Sequence, residues 1–269
     1  MMETWALWAA LTAYALAGSL AIAGIWRGQP SGRLVLTLLS GALALHALSL
    51  GLRWARLGHG PFTTMFEILS SNIFSFTLVY AAALWRFPAI RPTFALAAPL
   101  VFLMMGWLMV TNPEPGVFPP TFDTGWLYVH IGFGKLFMGA ALVALGVSLV
   151  PAMRLTGLGA RAFAALPDDT SLDELAFRFL SAGLVFDTLM LAAGAIWAQD
   201  AWGRYWAFDP LETWSLVTWL LAALAIHARI TLRPPAYAGT LMIALVFTVA
   251  YATFFGVPFV TERPHQGVV

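Results

Sequence analysis

Histidine and tryptophan are the residue types here with chemistry beyond packing: the chain has five histidines and 12 tryptophans. The densest group is Trp197-Ala-Gln-Asp-Ala-Trp-Gly-Arg-Tyr-Trp-Ala-Phe-Asp-Pro-Leu-Glu-Thr-Trp-Ser-Leu-Val-Thr-Trp219, which brings Trp197, Trp202, Tyr205, Trp206, Phe208, Trp214 and Trp219 around one turn. Trp and Tyr gather where helices leave a bilayer, so an interfacial belt is one explanation. A belt would be shared among all helices, whereas five of the 12 tryptophans crowd this one connection. Gly203 permits close backbone approach, and Arg204 can pair with a carboxylate. Such a surface suits a flat, hydrophobic ring carrying acidic side groups. Asp209, Pro210 and Glu212 have a simpler reading as the cap, first position and third position of a new helix, which is preferred for Asp209 and Glu212 over ligand contact.

The elements that position these residues must lie in lipid. Of 269 residues, 60% are hydrophobic and 10% charged, and the mean hydropathy is +0.80. Soluble packing cannot hide that much apolar surface. A helix crosses the hydrocarbon in about 20 residues, and helices satisfy their own backbone there. An all-α, polytopic membrane protein is expected, with spans near 4–26, 34–53, 62–85, 93–111, 126–150, 176–198, 210–231 and 238–256. The first run, Thr4 to Trp26, reads as a retained span, being longer than a leader core and lacking a preceding basic residue. No soluble domain fits between spans, so residues 1–269 form a single membrane domain with a Pro-rich loop at 112–125 and the Trp-rich loop at 199–210. Between Arg154 and Leu175, Ser171 followed by Glu174 predicts a capping box that extends the sixth span.

Orientation follows from arginine, because cytoplasmic loops carry the basic excess. With the N-terminus outside, inner connections hold Arg27, Arg33, Arg86, Arg91, Arg154, Arg161, Arg178, Arg229 and Arg233, and outer ones hold Arg53, Arg56, Arg204 and Arg263. Both termini and both named loops are therefore expected to be extracytoplasmic, with Arg53 and Arg56 working against the assignment. The formal net charge of +1 and the scattered basic residues exclude a nucleic-acid footprint. The absence of cysteine excludes disulfides and thiolate sites, so any thiol chemistry belongs to a partner.

Trp202-Gly-Arg-Tyr-Trp-Ala-Phe-Asp-Pro-Leu-Glu-Thr-Trp closely resembles the WWD signature of haem-handling cytochrome c assembly proteins. Phe208 stands where Trp is common and Leu211 where Lys is common. Arg53-Trp-Ala-Arg-Leu-Gly-His-Gly-Pro, followed by Phe66 and Glu67, is similar to the segment after an early span in the CcsA (ResC) branch, and eight spans suit that branch. The resemblance implies a System II role at the cytoplasmic membrane. Haem is exported and presented on the extracytoplasmic face, with a CcsB (ResB) partner subunit, to apocytochrome c, where it joins a Cys-x-x-Cys-His motif kept reduced by a thiol-reducing partner. The cofactor implied is noncovalent haem b, and the chain would be one component of a haem lyase that holds and orients rather than forming covalent intermediates. It also implies haem contacts for Trp202, Gly203, Arg204, Tyr205, Trp206, Asp209 and Trp214.

His130 and His265 are both expected outside, on either side of the Trp-rich loop in sequence. Imidazole is a common axial ligand of haem iron, and the resemblance puts these two at the family's paired external positions. A solvated loop imidazole is the competing reading for each. His227 lies 17 residues past Pro210, about 26 Å inward at 1.5 Å per residue, where the resemblance makes it an intramembrane haem ligand and a helix-end imidazole is the alternative. His46 lies at a different depth and reads as packing. The second intramembrane ligand is then expected from the partner subunit. His59, in Gly-His-Gly-Pro, reads as structural.

Lys135 and Asp187 fall at similar depth on consecutive spans, about 14 and 16 Å from the outer ends, which predicts a buried ion pair. Two other functions stay open: a HemX-like regulator of haem synthesis without lyase activity, and an ion or solute transporter using Lys135, Asp187 and Glu67 as a relay.

Overall fold

The computed structural model describes residues 1–29 and 31–260. Its helices are α1 (Met2–Trp26), α2 (Gly32–Leu57), α3 (Met65–Arg86), α4 (Phe94–Val110), α5 (Gly125–Arg154), α6 (Gly157–Ala162), α7 (Asp169–Trp202), α8 (Pro210–Leu232), α9 (Ala236–Phe255) and α10 (Val257–Val260). Single turns of 3₁₀ helix cover Pro120–Phe122, and a longer 3₁₀ stretch, Pro88–Thr93, leads into α4. The described chain is all-helical, and eight helices are long and apolar enough to cross a membrane. These are the eight spans expected from the sequence, with one notable difference at the sixth. There α7 begins at Asp169 because Asp168 caps it, accepting hydrogen bonds from the Ser171 amide at 3.0 Å and hydroxyl at 2.8 Å. The amide bond holds the Asp168 carboxyl below the usual carboxylate range. Glu174 pairs with Arg178 instead of closing a box on Ser171. Four adjacent residues, Asp168 to Ser171, can all cap a helix, and the earliest of them does so here.

Helix α5 is the axis of the bundle. It packs along α7 and against α3 and α9, burying side chains on more than one face. At the other extreme, α8 buries only Thr218, Ala222 and Ala225, a single i, i+4, i+7 stripe against its neighbours. Most of its surface is left for lipid or another subunit.

Antiparallel alternation puts the 58–64, 111–124 and 203–209 connections at one end, hereafter the Trp-loop end. Contacts tie this end together. Arg53 donates from Nε to Glu67 at 2.9 Å, from Nη1 to Glu3 at 3.0 Å and from Nη2 to the Pro113 carbonyl at 3.0 Å. Arg56 donates to Glu3 at 2.9 Å. Glu67 is fully buried and also accepts from the Thr63 amide and hydroxyl, both at 2.8 Å. The two arginines that weaken the charge asymmetry are therefore neutralised by local carboxylates. The nine remaining described arginines other than Arg204 all belong to the opposite end, where Arg229 is paired with Asp173 at 2.7 Å.

Candidate functional site

The Trp-rich loop is fixed at both ends by its own sequence. Gly203 ends α7 in the left-handed conformation, φ 70°, donating to the Gln199 carbonyl at 2.9 Å. At the other end the Asp209 side chain accepts from the Glu212 amide at 2.8 Å, while Glu212 Oε2 accepts from the Asp209 amide at 3.4 Å. This is a complete capping box with Pro210 in the first turn. The same Glu212 oxygen accepts from the Ala207 amide at 2.7 Å. Between these anchors Phe208 adopts φ 57°, a left-handed backbone that costs a non-glycine residue about 1–2 kcal/mol. Its ring is exposed.

Beneath the loop lies an open, largely apolar cleft with a cavity volume of about 210 Å³, walled by His130, Trp197, Trp202, Tyr205 and Trp206 among others. His130 comes from α5 and is held across the bundle. Its Nδ1 donates to the Met190 carbonyl of α7 at 2.8 Å. A carbonyl only accepts, so the neutral ring keeps its proton on Nδ1 and its lone pair on Nε2, the arrangement found in metal-ligating histidines. The imidazole also stacks on buried Trp197, with centroids 5.9 Å apart and planes at 27°. Trp197 is in turn fixed by donating from Nε1 to the Thr121 carbonyl at 2.9 Å. It meets Trp202 edge-on at 4.9 Å and Phe122 at 5.6 Å. Phe62, Phe122, Leu127 and Trp197 form a second core at this end, so the 111–124 loop backs the cleft.

Of the residues singled out from the sequence, His130, Trp202, Tyr205 and Trp206 therefore share one cleft. Gly203 and Asp209 shape the loop rather than line it, and Arg204 is exposed on it with no ion pair among the described residues. Trp214 is exposed on α8 and is not part of the cleft wall. His227 is exposed on the outer face of α8. His265 lies outside the described residues. His46 is buried, with Nε2 2.9 Å from the Ser70 hydroxyl and edge-on contacts to Tyr14 and Phe74. His59 stacks on Phe118 at 4.5 Å and donates to the Gly60 carbonyl at 3.0 Å. Sequence reasoning missed Met190 and Gly194. A Cβ on Gly194 would sit 2.7 Å from His130 Nδ1, so glycine is what admits the ring.

The expected ion pair is not formed. Lys135 donates to the Ser71 hydroxyl of α3 at 2.8 Å, and both carboxylate oxygens of fully buried Asp187 lack a hydrogen-bond partner. Equal depth is one coordinate; direction around the helix is the other. Lys135 follows His130 by five residues, about 140° around α5, so with His130 turned to α7, Lys135 turns toward α3.

The comparisons with known proteins agree with this architecture. The profile of the family described as Cytochrome C assembly protein matches residues 36–265. The chain belongs to that family. Among proteins named Cytochrome c biogenesis protein CcsA, it is 29% identical to one from Chlamydomonas reinhardtii over 233 residues, covering 82% of this chain and 65% of that relative. It is 29% identical to one from Guillardia theta, covering 81% and 79%, and 27% identical to one from Synechocystis, covering 84% and 86%. With its eight apolar helices, the chain is a multi-pass membrane protein of cytochrome c biogenesis.

Proposed function

We propose that the cleft under the Trp-rich loop holds noncovalent haem b and presents it for attachment to apocytochrome c, as a component of a System II haem lyase. The observation that carries this reading is His130. A half-buried imidazole is locked by a carbonyl on one nitrogen and an indole on one face, at the wall of an aromatic cleft. The residues present fit a flat apolar macrocycle. Trp202, Tyr205 and Trp206 offer ring surface, and exposed Arg204 in the same loop offers a guanidinium for an acidic side group.

His130 and His265 would hold the iron. When bound, the haem supplies iron to be ligated and vinyl groups to be joined to the substrate's thiols. This chain's residues bind and orient the ring, exclude water from its buried edge and leave its other edge toward the approaching Cys-x-x-Cys-His segment. Their contribution is positioning. A thiol-reducing partner is needed because this chain has no cysteine. The nine arginines at the opposite end support an extracytoplasmic Trp-loop end in the cytoplasmic membrane. His227, exposed on the sparsely packed α8, supports an intramembrane haem contact completed by a CcsB-like subunit rather than by this chain.

The transporter reading finds less support, since Glu67, Lys135 and Asp187 have separate surroundings. The test is an absorption spectrum of the purified protein. A Soret band that His130→Gly with His265→Gly abolishes, and that added imidazole partly restores, is the expected result. An unchanged haem content in the double variant would overturn the ligand assignment. A haem-free parent would overturn the function.

A further inference from the structure

Behind His130 lies a second cavity of about 150 Å³, separate from the cleft but bounded by some of the same residues. Ile68, His130, Met190, Trp197 and Phe254 line both. The inner cavity adds a polar corner made of Ser71, Asn72 and Lys135, and none of the described residues that line it is acidic. Lys135 lies ten residues into α5 (135 − 125), about 15 Å from its start, too deep for the ammonium to reach the interface along its stem.

Its hydrogen bonding is incomplete. An ammonium has three donors, and the one bond formed goes to the neutral Ser71 hydroxyl at 2.8 Å. Ser71 in turn donates to the Ile68 carbonyl at 3.3 Å, as Asn72 does at 2.8 Å, so among the described residues the two remaining Lys135 donors have no acceptor. A lysine held in a low-dielectric cavity without a counter-charge is costly unless an anion joins it. Asp187 does not supply that anion, and Glu67 is committed to Arg53 and Thr63.

We propose that the Lys135, Ser71 and Asn72 corner is a carboxylate subsite for an acidic side group of the ring bound in the adjoining cleft. It fixes the rotation of the ring about the His130 axis. This rests on the reading that the cleft holds haem. One carboxylate fills the vacant donors of Lys135 with charge-assisted bonds, while exposed Arg204 in the Trp-rich loop serves a second. With one acidic arm sunk beside α3, the opposite edge of the ring faces the loop. A single orientation then meets the substrate.

The test compares retention of haem and of its dimethyl ester, which lacks both carboxylates, by the purified full chain and by Lys135→Met. The parent should hold haem about ten- to a hundredfold better than the ester, the range of a charge-assisted hydrogen bond. Lys135→Met should lose most of that preference, keep the Soret position set by the iron ligands, and melt no lower than the parent without haem. Equal retention of the two rings by the parent overturns the subsite and leaves the haem reading intact. A parent that holds neither ring overturns the haem reading itself. Recovery of ester retention on adding acetate assigns the corner to a free carboxylate and also overturns the proposal. A Lys135→Met variant that melts well below the parent in the haem-free state makes the lysine a structural tie to Ser71 and overturns it too.

Discussion

The Nδ1 atom of His130 lies 2.8 Å from the main-chain carbonyl of Met190, 60 residues away on the antiparallel helix α7. One hydrogen bond thus sets the tautomer and the direction of the imidazole at once. Its acceptor is a carbonyl already inside a helix, and the approach is open because Gly194, one turn on, carries no side chain.

Gly194→Ala tests that relationship. A new Cβ would fall 2.7 Å from Nδ1, so the ring must leave its carbonyl. Elsewhere in a helix the same change adds about 0.5–1 kcal/mol of stability. The expected outcome is a protein that melts at or above the parent temperature yet holds roughly tenfold less haem, the effect size of losing a partner that orients a metal ligand. Retention equal to the parent, measured by the Soret band per protein, would detach Gly194 from the site.

The aromatic residues divide by position rather than by type. Trp202 and Trp206 line the cleft, whereas Trp214 is exposed on α8. Trp202→Ala or Trp206→Ala should lower haem occupancy about two- to tenfold through lost stacking, with membrane insertion intact. Trp214→Ala should change occupancy little. If all three variants behave alike, the loop acts as an interfacial belt.

Glu67 offers a sharp stability contrast. It is fully buried, and Arg53 beside it has side-chain exposure of 5%, so Glu67→Ala leaves a buried guanidinium with Glu3 as its remaining carboxylate and takes the acceptor from both Thr63 donors. A loss of about 3–5 kcal/mol is expected, against at most about 1 kcal/mol for Arg56→Ala, whose side chain is 49% exposed. Thermal unfolding in detergent measures both. Similar small losses would mean that the Arg53 cluster is solvated.

The spans were legible because lipid imposes their length and composition, and the start of α8 because Asp209, Pro210 and Glu212 state a cap locally. The Trp-rich loop and His130 were legible as candidates for the same reason: residue type and spacing carry them. What joins them was not. The acceptor for His130 is a main-chain carbonyl, which every residue possesses, so sequence gives no sign that Met190 supplies it. Gly194 is one of 23 glycines, and only its neighbour distinguishes it. The Lys135–Asp187 pairing failed because span counting yields depth without direction. α5 has neighbours on several sides, and a charge at the right depth meets whichever helix its rotation selects.

Asp187 gives the most informative variant. Both its carboxylate oxygens are buried and without hydrogen-bond partners, in a helix that packs along the bundle axis. Burying such a group is unfavourable, and an apolar replacement of similar volume removes the penalty. Asp187→Leu should therefore unfold at a higher temperature than the parent, the reverse of what a buried ion pair requires. Lys135→Met should also not destabilise the haem-free protein, since no carboxylate among the described residues loses its partner. Because the two residues share no partner, the effect of the double variant should equal the sum of the single effects to within about 0.5 kcal/mol. A double variant that recovers stability lost in each single would mean that the side chains find each other in the bilayer. If Asp187→Leu gains stability but holds haem less well, the penalty is retained for function, as expected of a site where local structure opposes stability.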